Sequence, residues 1–252
     1  MSAVLTRPEL VICAMDCHHV AQDLRRKYYS IIDTDSMFDW CAITQTQWND
    51  FAQHWGRLTL DQFMADGGTY RMRRYGAFES AMDRSLRLLG HTSYRQPLYI
   101  NSLNGGVERV FDPLESSFVQ HTVLRNILRV LLDIVNSAEG CESVWNIRLH
   151  PYRIVAKPGV PGEPTPEGLH RDGVDYIVSM MVNRHNVDGG ESIFTDANGN
   201  PKVGVTLDGP MNCAIANDAR MLHSVTPVTP SDVLRQAHRD VLVIAFTKVH
   251  HG

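Results

Sequence analysis

With 252 residues, 43 % of them hydrophobic and 21 % charged, the chain is long and apolar enough to bury a full core. A net charge of −4 with no long basic run or periodic Lys/Arg stripe excludes nucleic acid as the expected partner. Five cysteines without a framework spacing point to a reducing compartment, and neither a charged leader with an apolar run nor a stretch near ~20 apolar residues is visible, so no membrane partner is expected and the cytoplasm is the expected setting.

The N-terminal quarter reads as helical. Glu9 to Ile32 contains an amphipathic helix, and Trp48, Phe51, Ala52 and Trp55 recur at helical intervals that turn one face to a core. Cys13 and Cys17, next to His18 and His19, have the look of a metal cluster, but with no second cysteine pair at zinc-site spacing they read as ordinary core residues. Thr69 to Glu79 and Pro97 to Ser102 read as early strands. Within the first, Tyr70-Arg71-Met72-Arg73-Arg74-Tyr75 suits either an anion site or an exposed charged face. Val119 to Val135 has a broad apolar helical face, suited to packing across the outside of a β unit.

The second half reads as β. Lys157 to Gly168 carries four prolines, too many to join a ladder, and is expected to be a loop at the mouth of a site. Strands follow at Asp175 to Val182, Glu191 to Thr195, Asn212 to Ala216, Met221 to His223 and Asp240 to Phe246. Their punctuation is Asp188-Gly189-Gly190, the hairpin signal Asn198-Gly199, and Asn217-Asp218. The terminal His250-His251 pair reads as a solvated tail. No repeat or second-domain boundary appears, so one domain is expected over 1–252: a helical N-terminal extension at 1–60, then a β core at 61–252 supported by helix 119–135.

His170-Arg171-Asp172 and His223 carry the chemistry. A histidine and an aspartate two residues apart on an extended segment share a face, and a later histidine, 51 residues after Asp172, completes two imidazoles and one carboxylate. That set leaves one side of a metal open, as in mononuclear non-haem iron sites. Arg239 opens the last apolar strand and needs an anionic partner: a dicarboxylate ligand, or a salt bridge to Asp240 or Asp232.

Around these residues, Leu149-His150-Pro151-Tyr152-Arg153, Leu169-His170-Arg171-Asp172, Asn183, Gly189-Gly190, His223-Ser224-Val225-Thr226-Pro227 and Arg239-Asp240-Val241-Leu242 form a recognisable series, with weaker similarity from Val107 to Phe111. In these motifs the chain resembles the iron(II)- and 2-oxoglutarate-dependent dioxygenases, in particular the L-isoleucine 4-hydroxylase-like branch that acts on free amino acids. The resemblance implies a mainly β, α+β fold: a double-stranded β-helix (jelly roll, cupin-like) with flanking helices. It implies Fe(II) on His170, Asp172 and His223, 2-oxoglutarate with its far carboxylate on Arg239, and O2 as the oxidant. Arg153 is then a candidate for the substrate carboxylate, against an internal salt bridge. His150 is a candidate beside the substrate, against a satisfied core histidine. One of Arg71, Arg73 and Arg74 is a further candidate for the carboxylate, with an acidic or carbonyl group for the amine.

The implied activity is hydroxylation of an aliphatic carbon of a free L-amino acid, yielding succinate and CO2, by a monomer or a homodimer. A peptide or protein side-chain hydroxylase, and a cupin-like binding module without turnover, are the alternatives.

Overall fold

The computed structural model describes residues 17–100 and 105–250. Helix α1 (His18–Arg26) runs into strand β1 (Tyr29–Ile32), followed by α2 (Thr34–Cys41), α3 (Gln45–Ala52) and a 3-10 turn, Gln53–Arg57. The helix expected within Glu9 to Ile32, a stretch described here only from residue 17, ends at Arg26. Tyr28 adopts a left-handed φ of 70° that redirects the chain, and the β-branched Ile31 and Ile32 continue as a strand. Asp33 caps α2 by accepting from Ser36 N at 2.8 Å, and Thr44 with Gln47 forms a capping box on α3. Trp48, Phe51 and Trp55 are fully buried, as their spacing predicts, and Ala52 packs at their edge.

The next elements are β2 (Thr59–Leu60), β3 (Arg71–Arg73), β4 (Gly76–Ser80), β5 (Leu86–Leu88), α4 (Ser116–Gln120) and α5 (Thr122–Glu139). Thr69 to Glu79 is thus two strands with a break at Arg74-Tyr75. The described part of Pro97 to Ser102 is a turn, closed by Ile100 N donating to Pro97 O at 3.0 Å. The helix expected from Val119 begins instead at Thr122, because extended His121 interrupts the chain and its ring accepts from Val123 N.

The remaining strands are β6 (Trp145–Ala156), β7 (Tyr176–His185), β8 (Val187–Gly189), β9 (Glu191–Asp196), β10 (Pro201–Thr206), β11 (Cys213–Asn217), β12 (Met221–Val225), β13 (Val228–Pro230) and β14 (Ala237–Lys248). They build a jelly roll. Its larger sheet runs β1-β11-β7-β14-β6-β3-β2, with β4 pairing on β6 beside β3 and β5 on β4; the smaller runs β10-β9-β12, and β8 pairs with β13. Pro151, unusual in a central strand, falls between Leu149, opposite Gly76 of β4, and Tyr152, opposite Arg73 of β3, where the flanking ladder is already broken.

Alternation divides the large sheet into two faces. Trp145, Ile147, Leu149, Val178, Met180, Leu242, Ile244 and Phe246 pack outward in one core with Val123, Leu124, Ile127 and Leu131 of α5. Ile177, Ser179, Val241, Val243 and Ala245 face a cavity. The phase changes once: Val241 pairs with Met181 but Asp240 pairs with Asn183, so Val182 is an extra residue in β7, and Arg184 lands opposite Arg239. Among the described residues no helix is long and apolar enough to cross a membrane.

Candidate active site

His223 lies on β12, whereas the segment of His170 and Asp172, expected to be extended, precedes β7 as irregular chain with a single bridge at His170. One isolated bridge joins the two histidines: His170 N donates to His223 O at 3.0 Å, and His223 N donates to His170 O at 2.9 Å. Asp172 is fixed differently. The fully buried Asp218, which reads in the sequence as a turn residue, accepts from the backbone N–H groups of Asp172, Gly173 and Val174 at 3.0, 2.7 and 3.0 Å. One carboxylate thus gathers three donors and sets the shape of the loop that carries Asp172.

Ligand atoms of His170, Asp172 and His223 lie within 4.8 Å of one another. His170 Nδ1 is 2.9 Å from Gly168 O, which assigns the proton to Nδ1 and leaves Nε2 as the free donor pair. His223 presents Nε2 toward Asp172 Oδ2 at 3.3 Å and Nδ1 toward Asp218 Oδ1 at 3.8 Å. Burial alone pushes the Asp172 pKa up, but the hydrogen bond from His223 and the neighbouring imidazoles outweigh it and hold it well below the ordinary carboxylate value. Gln96 adds a contact to Asp172 Oδ1 at 3.3 Å and accepts from Arg109 Nη2 at 2.9 Å. An anionic carboxylate with two imidazoles, each with its second nitrogen directed at an oxygen, is a donor set suited to Fe(II).

Arg239 opens onto the same cavity. Only 2 % of it is exposed, and its Nε and Nη2 have no hydrogen-bond partner. Neither sequence-level salt bridge forms: Asp240 is taken by Arg153, and no ion pair joins Arg239 to Asp232. Burial, followed by the charge of Arg184, lowers the Arg239 pKa to about 10. Gly190 permits this crowding: a Cβ there would stand 3.1 Å from both Arg239 Cδ and Arg184 Nη1. A buried guanidinium with two unused donors beside a metal-type donor set fits the far carboxylate of a dicarboxylate ligand.

The other candidates separate cleanly. Arg153 projects on the opposite face of β6 and holds Asp240 in a bidentate pair, 2.7 Å at Nε and 2.7 Å at Nη2, so the internal salt bridge weighed in the sequence is formed. His150 does line the cavity. Burial and then the charge of Arg73 push its pKa well below the usual histidine value, so it is neutral and accepts from Arg73 Nη2 at 2.5 Å through Nδ1. Arg71 and Arg73 also line the cavity, whereas Arg74 lies on the surface, donating to Arg57 O and Pro113 O. Ser179 faces the cavity; Asn183 and His185, beyond the extra residue in β7, do not line it. The proline-rich loop lines the cavity: Thr165 Oγ1 is pinned to the backbone of Val225, and Pro164 and Glu167 join Thr165 in the cavity wall. His18 and His19 are exposed and Cys17 lies in the core, while Cys13 and His251 fall outside the described residues.

A family model for the 2OG-Fe dioxygenases matches residues 52–245. The chain belongs to this family. It is therefore an enzyme of the class that uses Fe(II), 2-oxoglutarate and O2. It is 24 % identical over 238 residues to the 3(1)-hydroxy-L-isoleucine 4-dioxygenase of Pantoea ananatis, spanning 90 % of this chain and 95 % of that one. It is 23 % identical over 195 residues to the L-isoleucine-4-hydroxylase of Bacillus thuringiensis, spanning 75 % and 80 %. These two relatives support the isoleucine-hydroxylase-like branch. Among solved structures, a bsmA homologue from Methylobium petroleophilum superposes with a TM-score of 0.84 at 31 % identity, covering 92 % of each chain. The dioxygenase TqaL superposes at 0.77 with 19 % identity, covering 97 % of this chain and 91 % of that one, which supports the fold alone.

Sequence reading missed Arg109, Glu167, Gln96 and Asp218. Arg109 lay within the weakly similar stretch from Val107 to Phe111. Glu167 stands three residues before His170 in a proline-rich loop and carries no periodic signal. The other two are ordinary loop and turn residues until the fold brings them beside Asp172.

Proposed function

We propose that this dioxygenase hydroxylates an aliphatic carbon of a free L-amino acid, with His170, Asp172 and His223 holding Fe(II) and Arg239 holding the far carboxylate of 2-oxoglutarate. The observation that carries the reading is the shared cavity, in which the candidate metal ligands and the unpartnered Arg239 face apolar Val174, Ile177, Val241, Val243 and Ala245 on one side and charged residues on another. The names of the two curated relatives agree with an amino-acid substrate. When bound, iron and cosubstrate together supply the oxidising power, with release of succinate and CO2. This chain's residues do the rest. Arg239 fixes one end of the cosubstrate, His150 stays neutral as an acceptor in the wall, and the apolar patch excludes water and orients the reacting carbon.

The test is to incubate Fe(II)-loaded protein with 2-oxoglutarate and each free L-amino acid, and to follow both succinate and a product heavier by one oxygen. Coupled formation of both with one amino acid supports the reading. If N-acetyl or methyl-ester derivatives react as well as the free compound, the backbone charges are not being read and the peptide or protein alternative takes its place.

A further inference from the structure

Beyond the candidate metal ligands and Arg239, the cavity contains a charge imbalance that the proposed iron and cosubstrate do not resolve. Arg71, Arg73 and Arg109 all line it and all are buried, at 6, 2 and 3 % exposure. Arg71 is matched: its Nε and Nη2 meet Asp61 Oδ2 at 2.9 and 2.8 Å. Arg73 reaches the same oxygen only at 3.7 Å and otherwise donates to the neutral His150, and Arg109 has only the neutral Gln96. Both Arg73 Nε and Arg109 Nε are buried without a partner.

The two guanidinium groups also lie against the same rings. Arg73 is 5.8 Å from the centre of Tyr94 and 3.6 Å from that of Phe111; for Arg109 the distances are 4.9 and 5.9 Å. Two like charges held close together, with one carboxylate already engaged elsewhere, require an anion to complete them. The cosubstrate's far carboxylate is assigned to Arg239, which stands two strands away from β3, opposite the same Ile154 that pairs with Arg71.

The opposite charge stands beside His170. Glu167 has one oxygen, Oε1, 3.7 Å from His170 Nε2, while the other, Oε2, is buried with no donor. Asp172 cannot serve as a second acceptor for a ligand cation, because its oxygens are committed to the metal set and to Gln96. The cavity thus offers unpartnered donors at Arg73 and Arg109 and an unpartnered carboxylate oxygen beside His170. A zwitterion satisfies both.

We infer that Arg109, backed by Arg73, receives the α-carboxylate of the substrate and that Glu167 receives its α-ammonium. This assignment rests on the free-amino-acid reading and deepens it: substrate selection is made first on backbone charges, with the side chain directed to the apolar patch near the metal ligands. It also leaves Arg153, the sequence-level candidate, to its pair with Asp240.

The experiment measures equilibrium binding to the Fe(II)- and 2-oxoglutarate-loaded protein without oxygen, so that no turnover enters. The probes are the proteinogenic L-amino acids and, for the tightest binder, its decarboxylated amine and its desamino acid. Wild type should prefer the intact amino acid. Glu167→Gln should weaken the amino acid and the amine on the order of tenfold or more while leaving the desamino acid unchanged. Arg109→Met should weaken the amino acid and the desamino acid by a similar factor while leaving the amine unchanged. Unchanged affinity for 2-oxoglutarate certifies that each variant is folded; if Arg109→Met fails that check, Arg109→Lys replaces it and should show the same pattern in weaker form. An amino acid that binds wild type but loses no preference in these variants overturns the assignment and leaves the free-amino-acid reading standing. If no free amino acid binds, that reading falls and the assignment falls with it.

Discussion

The two faces of the large sheet obey opposite rules. Outward, Leu242, Ile244 and Phe246 meet the apolar side of α5, and Trp145 and Ile147 complete a core with no exposed surface. Inward, the same strands present Arg239 and His150, and β3 presents Arg73, to a cavity in which several buried nitrogens lack acceptors. Stability is concentrated on the face where every contact is already made. Recognition is concentrated on the face where contacts are left for a ligand to make, and neighbouring residues of a single strand belong to different regimes.

Removing a metal ligand should break the inner face most completely. His223→Ala is expected to lower iron affinity and turnover by more than the roughly 10- to 100-fold typical of outer partners, measured by iron titration and succinate release. Near-wild-type iron binding in that variant would remove His223 from the ligand set. Next is Arg239→Met, which should weaken 2-oxoglutarate binding on the order of tenfold to a thousandfold. It should leave the ligand-free protein as stable as wild type, or more so, because the arginine it replaces is buried without a partner. Calorimetry with the cosubstrate and a urea titration without it separate these effects.

Leu242→Ala supplies the mirror image. It should cost about 2–5 kcal/mol of stability by opening a cavity against α5, with cosubstrate affinity retained in the fraction that remains folded. Arg153→Met tests the sequence-level assignment directly. It strands Asp240 and should cost about 1–3 kcal/mol in urea unfolding, with unchanged affinity for substrate and cosubstrate. A substrate effect larger than the stability effect would return Arg153 to the site.

The smallest expected effect concerns pH. Burial is the leading cause that depresses the folded pKa of His150, so below about pH 6.5 the unfolded chain binds a proton that the folded chain does not. Its contribution to stability is therefore complete above that pH and is lost as pH falls toward the depressed value. His150→Gln should flatten the decline of the urea midpoint between pH 7.5 and 5 in metal-free protein. An unchanged slope would mean that His150 is not held neutral.

Much of this organisation is legible in the sequence because it depends on local pattern. The apolar period of α5, the alternation in β14 and the His-x-Asp spacing each follow from short-range geometry, and the Asn198-Gly199 hairpin joins β9 to β10 as its turn signal predicts. What stays illegible depends on distant partners. Arg153 differs from Arg239 only in which face its strand presents and in whether Asp240 stands opposite it. Asp218 becomes important only when folding sets it beneath the backbone of Asp172. Ser179, Asn183 and His185 share a parity that suggests one face, and the extra residue at Val182 breaks it.

That extra residue has an evolutionary consequence. A one-residue deletion at Val182 would make the pairing of β7 with β14 regular while leaving Asn183 opposite Asp240 and Arg184 opposite Arg239, so the faces from Asn183 to His185 would be kept. Descendants of this chain can therefore change the length of β7 at this one point, as they can change a loop, while the pairing on either side of it is inherited unchanged.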